Sequence, residues 1–111
     1  MKKFYLIAVF FALWATTLFA EEHTILQDAI GCQSREYFEK ILEFIAQKDD
    51  FAANYMINFA LKNGQCSRFL AQEKIFIMDK ALLAGLIKIR RKGHLIEFWT
   101  YLECLHPPKK R

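Results

Sequence analysis

The stretch Leu86-Ile87-Lys88-Ile89-Arg90-Arg91-Lys92-Gly93-His94-Leu95-Ile96-Glu97-Phe98-Trp99-Thr100 decides the fold. If Lys92-Gly93 is a two-residue hairpin loop, Arg91 lies opposite His94, and the pairs Arg90 with Leu95, Ile89 with Ile96, Lys88 with Glu97 and Ile87 with Phe98 follow. Two apolar pairs then share one face and an opposite-charge pair lies on the other, as a half-buried antiparallel sheet requires. The competing reading makes residues 74 to 91 one cationic amphipathic helix of the membrane-surface kind, lined by Ile75, Met78, Leu82, Leu86 and Ile89. Gly85 would cost that helix about 1 kcal/mol relative to Ala. The cross-strand agreement favours strands.

Working outward, strands are expected over 66–70, 74–78, 86–91 and 94–100, separated by Gln72-Glu73, Asp79-Lys80 and Lys92-Gly93. Upstream the period changes. Tyr37, Phe38, Ile41, Leu42, Phe44 and Ile45 recur at three-and-four spacing and predict a helix over 35–47, with Ser34 as N-cap and Glu36–Lys40 as an i,i+4 pair. Phe51, Ala52, Tyr55, Met56, Phe59 and Ala60 predict a second helix over 50–62, capped from Lys48-Asp49-Asp50 and ended by Asn63-Gly64. Its aromatic stripe reads as core. The short link makes the two an antiparallel hairpin. The fold class is therefore α+β: an N-terminal helical hairpin packed on a small C-terminal antiparallel barrel or sheet.

The first twenty residues read differently. Lys2 and Lys3 precede an uncharged run from Phe4 to Ala15, and Leu18-Phe19-Ala20 ends at Glu21-Glu22, so residues 1–20 are expected to be a secretory signal peptide cut after Ala20. An uncleaved membrane anchor is the alternative. Ala29-Ile30-Gly31-Cys32 is too far from the apolar run, with Glu21, Glu22, His23 and Asp28 intervening, to be a lipid-attachment site. Residues 21–105 then form one small domain and 106–111 a disordered basic tail.

Export to the periplasm or beyond permits disulfides. Cys32 lies just before the first expected helix and Cys66 just after the second, so a returning hairpin brings them together. A Cys32–Cys66 bridge is expected, with Cys104 as a free, buried thiol.

Gly64-Gln65-Cys66, Lys74-Ile75-Phe76-Ile77, Gly85-Leu86-Ile87-Lys88-Ile89-Arg90 and Phe98-Trp99-Thr100 together resemble a group of small exported bacterial proteins of uncharacterised function. These join a helical segment to a C-terminal SH3-like β barrel. The resemblance implies that barrel and an envelope address, and no activity. Bacterial SH3 domains usually end in Gly-Trp-Val, where this chain has Trp99-Thr100.

No catalytic constellation can be assembled. His23, His94 and His106 lack metal-ligand spacing, no Cys-x-x-Cys accompanies them, and the four glycines form no phosphate-cradling loop. Neither enzyme chemistry, nor a metal, nor a cofactor is expected. Residues 21–63 carry four basic and eight acidic side chains, whereas 64–111 carry ten basic and four acidic. That asymmetry suggests an anionic partner, and export argues against nucleic acid. An exported binding module for a protein, peptide or anionic envelope component is therefore expected. The alternative is a membrane-active or membrane-anchored protein acting through 74–91 or the N-terminal segment. By two-residue alternation Lys88, Arg90, Glu97 and Trp99 point away from the core and make the candidate ligand surface. Strong curvature that tucks Trp99 under the helices is the competing placement.

Overall fold

In a computed structural model the described residues are 21–108, and the signal-peptide reading of 1–20 and the tail end 109–111 lie outside them. Six strands and two helices follow one another as β1 (Glu21–Thr24), β2 (Ala29–Cys32), α1 (Arg35–Ala46), α2 (Asp50–Asn63), β3 (Cys66–Phe69), β4 (Lys74–Ala81), β5 (Leu86–Arg91) and β6 (Glu97–Tyr101). Short 3₁₀ turns occupy Leu82–Ala84 and Leu102–Leu105. The strands form one open antiparallel sheet in the order β1-β4-β5-β6-β2-β3. The α+β class holds, but the helical hairpin sits between β2 and β3 and is not N-terminal.

Two strands escaped the sequence reading for physical reasons. Glu21-Glu22-His23-Thr24 has no apolar residue because β1 is an edge strand, where charge blunts further pairing. β2 contains Gly31, which ordinarily weakens a strand. Here a Cβ on Gly31 would stand 2.9 Å from a Phe69 ring carbon and 3.0 Å from Phe98 Cβ, so close packing requires the glycine.

The sheet buries both faces. On one, Ile25, Ala29, Phe69, Ile75, Ile77, Ile87, Ile89, Phe98 and Cys104 form one core cluster. On the other, Cys32, Cys66 and Leu86 pack with Phe38 and Ile41 of α1 and Ala60 of α2. The Cys32–Cys66 disulfide is present, its Cα atoms 4.0 Å apart at directly opposed positions of β2 and β3. It ties the sheet to both ends of the hairpin, and Cys104 is free and buried.

Helix boundaries follow the caps. Ser34 Oγ accepts from the Tyr37 N–H at 3.2 Å, and Asp49 Oδ1 accepts from the Ala52 N–H at 3.2 Å. Gly64 ends α2 at φ 82°. Lys40 pairs with Glu43 at 3.5 Å rather than with Glu36, while Arg35 takes Glu39 at 2.9 Å. The aromatic stripe of α2 is not core. Phe51, Tyr55 and Phe59 are exposed, and the helix packs through Ala53 and Ala60, with Met56, Ile57 and Leu61 beside them. Both stripes have helical spacing, so periodicity could not choose. The small side chains admit the close approach to α1 and β3.

Residues 74–91 form two strands joined by a tight turn, and the cationic helix is not formed. β4 runs through Asp79-Lys80 with an irregularity between Ile77 and Asp79, and the chain reverses at Leu82–Gly85 instead. The last hairpin is also corrected. Gly93, at φ 87°, lies in a turn closed by the His94 N–H to Arg91 carbonyl bond of 3.0 Å, but pairing resumes only at Arg90 with Glu97. Ile89 therefore faces Phe98, not Ile96, which is exposed. The slip is two residues, so every side chain keeps its face. Phe98 can then pack edge-on against Phe69 at 5.4 Å, and buried Thr100 can donate to the Ile30 carbonyl at 2.9 Å. Among the described residues no helix is long and apolar enough to cross a membrane.

Candidate ligand-binding face

Alternation along β5 and β6 positions the candidate residues. Ile87, Ile89, Phe98 and Thr100 are buried on one face of the sheet, which sends Lys88, Arg90, Glu97 and Trp99 to its opposite side. Lys88 is directly across from Trp99, and Arg90 from Glu97. The Lys88 ammonium reaches diagonally to Glu97 Oε1 at 3.2 Å, so the charge pair expected from sequence forms despite the changed register.

Trp99 adopts a position between the two alternatives. Its indole is half-buried against the helix-side core because Cys32 of β2 pairs with it and the first turn of α1 begins three residues later. The rest of the ring remains open. The Arg35 guanidinium lies 5.3 Å from its centroid and the Lys88 ammonium 5.7 Å. On the neighbouring strand Arg90 stands 4.9 Å from the ring of Phe76. Three cations and two rings thus alternate across β4, β5, β6 and the start of α1. Each such contact contributes about 0.5 to 1 kcal/mol when solvated, and a ligand carboxylate or ring can compete for it.

Sequence reasoning missed Arg35 and Phe76. Phe76 carried a usable signal, since it alternates outward between Ile75 and Ile77 as Trp99 does between Phe98 and Thr100. Arg35 carried none, because only the tertiary fold brings the start of α1 over β6.

The cations are partly engaged within the protein. Glu97 holds Lys88, Glu39 holds Arg35, and Arg90 donates to the His94 carbonyl at 2.8 Å. Arg91 and Lys92, which follow Arg90 in sequence, do not join this face. Arg91 turns to the opposite side of the sheet over Phe69, and Lys92 pairs with Glu22 at 3.1 Å.

A separate concavity of about 250 Å³ lies between α1 and the β2–β3 edge, walled by Phe38, Ile41, Leu42, Ile45 and Phe69. At its rim the Asp28 carboxylate already accepts from the Ala71 N–H at 2.8 Å. The rest of the wall is mostly apolar, with Arg68 and Tyr101 as its other polar side chains. Among the described residues no group of three or more His, Cys, Asp or Glu side chains could hold a metal ion. Burial raises the Cys104 thiol pKa to about 11, which makes it a poor nucleophile at neutral pH. No family model, curated protein or solved structure matches this chain.

Proposed function

We propose that this protein is a non-catalytic binding module, exported to the bacterial envelope or beyond, that holds an acidic peptide, protein segment or anionic envelope polymer on the Trp99 face. One observation carries the reading: Trp99 is flanked by Arg35 and Lys88 while Arg90 covers Phe76 on the next strand. A ring between two cations suits a ligand that brings carboxylates to the guanidinium and ammonium groups and an apolar or aromatic group to the indole. The Cys32–Cys66 bridge is compatible with an oxidising, exported compartment. Membrane contact belongs to the signal peptide alone. We also retain the SH3-like description of the sheet as part of this proposal, supported by the clustering of buried side chains from β2 to β6 on one face.

Trp14 lies within residues 1–20, so Trp99 is the sole indole once that segment is removed. Titrating the exported protein with poly-L-glutamate should give a saturable change in Trp99 emission that weakens with added salt, and poly-L-lysine should give none. Lys88→Glu with Arg90→Glu should abolish the response. Trp99→Phe, which keeps most of the packing, should weaken retention of envelope components without unfolding the protein. Equal retention by wild type and all three substitutions would exclude this face as the site.

A further inference from the structure

We propose that the concavity between α1 and the β2–β3 edge binds a free α-amino acid with a large apolar side chain, its carboxylate on Arg68, its ammonium on Asp28 and its side chain against α1. This site is separate from the Trp99 face, whose indole does not line it. Phe38, Ile41, Leu42 and Ile45 come from α1 and Ile57 from α2, so the apolar side of the helical hairpin forms most of the wall. Tyr101, stacked on Phe38 at 6.0 Å, adds an aromatic surface. At the mouth Ile45 is 49 % exposed and Leu70 56 %, so the chain itself leaves this wall uncovered. An apolar cavity of about 150 Å³ admits benzene, so the 250 Å³ here admits one side chain as large as Leu or Phe together with its α-carbon and head groups. It falls short of the roughly 300 Å³ at which drug-sized sites begin.

The two charges at the rim select the ligand. Arg68 faces Ile30 across the β2–β3 ladder and Asp28 lies two residues before Ile30, so by alternation all three side chains share the side of the sheet on which α1 packs. Diagonal neighbours of this kind stand about 7 to 8 Å apart. Both charged side chains are exposed, and among the described residues neither belongs to an ion pair, not even with the other. The Ala71 N–H holds one carboxylate oxygen of Asp28 at 2.8 Å, which leaves the other oxygen for a ligand. Opposite charges held near each other but unpaired suit a ligand whose own opposite charges sit on one carbon. The Arg68 guanidinium can take the carboxylate through two parallel N–H donors, while Asp28 accepts from the ammonium. A fatty carboxylate fits less well because Asp28 repels its head, and a peptide terminus brings only one of the two charges.

Methyl-resolved NMR of the exported protein titrated with L-phenylalanine tests this. The methyl signals of Ile41, Leu42, Ile45 and Ile57 should shift saturably while the Trp99 indole signal stays in place. L-phenylalaninamide, which lacks the carboxylate, and N-acetyl-L-phenylalanine, which lacks the ammonium, should each bind about tenfold more weakly or worse. L-alanine, without the apolar side chain, should not saturate the site. Arg68→Gln should erase the preference for L-phenylalanine over its amide, and Asp28→Asn the preference over the N-acetyl form. Circular dichroism should be unchanged in both variants, since both side chains are exposed and Asn keeps an oxygen for the Ala71 N–H. Methyl signals that do not move, equal binding of the amide, or shifts centred on Trp99 overturn the proposal. Decanoate binding more tightly than L-phenylalanine would also overturn it and assign the concavity to an acyl chain.

Discussion

The guanidinium of Arg91 lies 4.1 Å from the ring centroid of Phe69 and joins β5 to the outer edge of β3, two strands that share no backbone ladder. Arg91 Nε donates to Glu73 Oε1 at 3.0 Å, Nη1 to Ser67 Oγ at 2.8 Å, and Nη2 to the Arg68 carbonyl. A planar fork can satisfy all three acceptors while its face covers the aromatic ring. Arg91 thereby closes one end of the inner core, and it satisfies a carbonyl on an otherwise open edge.

Replacing Arg91 with Ala should therefore destabilise the protein by about 2 to 3 kcal/mol, as three hydrogen bonds and the cover over Phe69 are lost together. Arg91→Lys should recover less than half, because an ammonium cannot reproduce the fork. Urea midpoints at constant m-value measure both. A neutral Arg91→Ala would show that the bridge contributes nothing net.

The Cys32–Cys66 bridge closes a loop of 34 residue steps that contains the whole helical hairpin. By the chain-entropy argument, its removal in Cys32→Ala with Cys66→Ala should cost about 3 to 4 kcal/mol. The expected outcome is a large fall in the urea midpoint. The hairpin should also loosen from the sheet first, which hydrogen exchange in residues 35–63 would reveal.

Gly31→Ala should be destabilising by about 1 to 3 kcal/mol through overpacking. The added methyl would meet Phe69, Phe98 Cβ and the Trp99 carbonyl at 2.9, 3.0 and 3.3 Å, and neither the backbone nor a Cβ can yield cheaply. Combining Gly31→Ala with Phe69→Leu should recover part of the loss. An additive double variant would show that the methyl is accommodated elsewhere.

Burial raises the Cys104 thiol from the ordinary 9.0 to about 11. The folded chain thus holds this proton to higher pH than the unfolded chain does. Its contribution is fully present below pH 9 and is lost as pH rises through 11, by roughly 2 to 3 kcal/mol. Burial also raises Tyr101, with further contributions from Cys104 and Glu103, and this adds loss of the same sign at still higher pH. Cys104→Ala should flatten the alkaline limb of the stability–pH curve between 9 and 11. An unchanged limb would assign it to the tyrosines alone.

How much was legible in the sequence differs from element to element. In β5 and β6 alternation fixes which side chains share a face, and that property survives any even change of register, so Lys88, Arg90, Glu97 and Trp99 could be grouped without knowing how the strands pair. Caps at Ser34, Asp49 and Gly64 are local chemistry, satisfied within a few residues, and sequence reads them directly. The Cys32–Cys66 bridge follows from the return of a helical hairpin. What required the tertiary structure is every choice between locally equivalent options. The pairing of Ile89 with Phe98 depends on Phe69 and on the Ile30 carbonyl, which belong to other strands. The rotation of α2 depends on how closely α1 and β3 can approach Ala53 and Ala60, while its aromatic stripe has equally good helical spacing. β1 has no apolar pattern because its backbone ladder to β4 holds it in place. Arg35 reaches Trp99 only because β2 inserts beside β6, a long-range pairing that leaves no trace in local spacing.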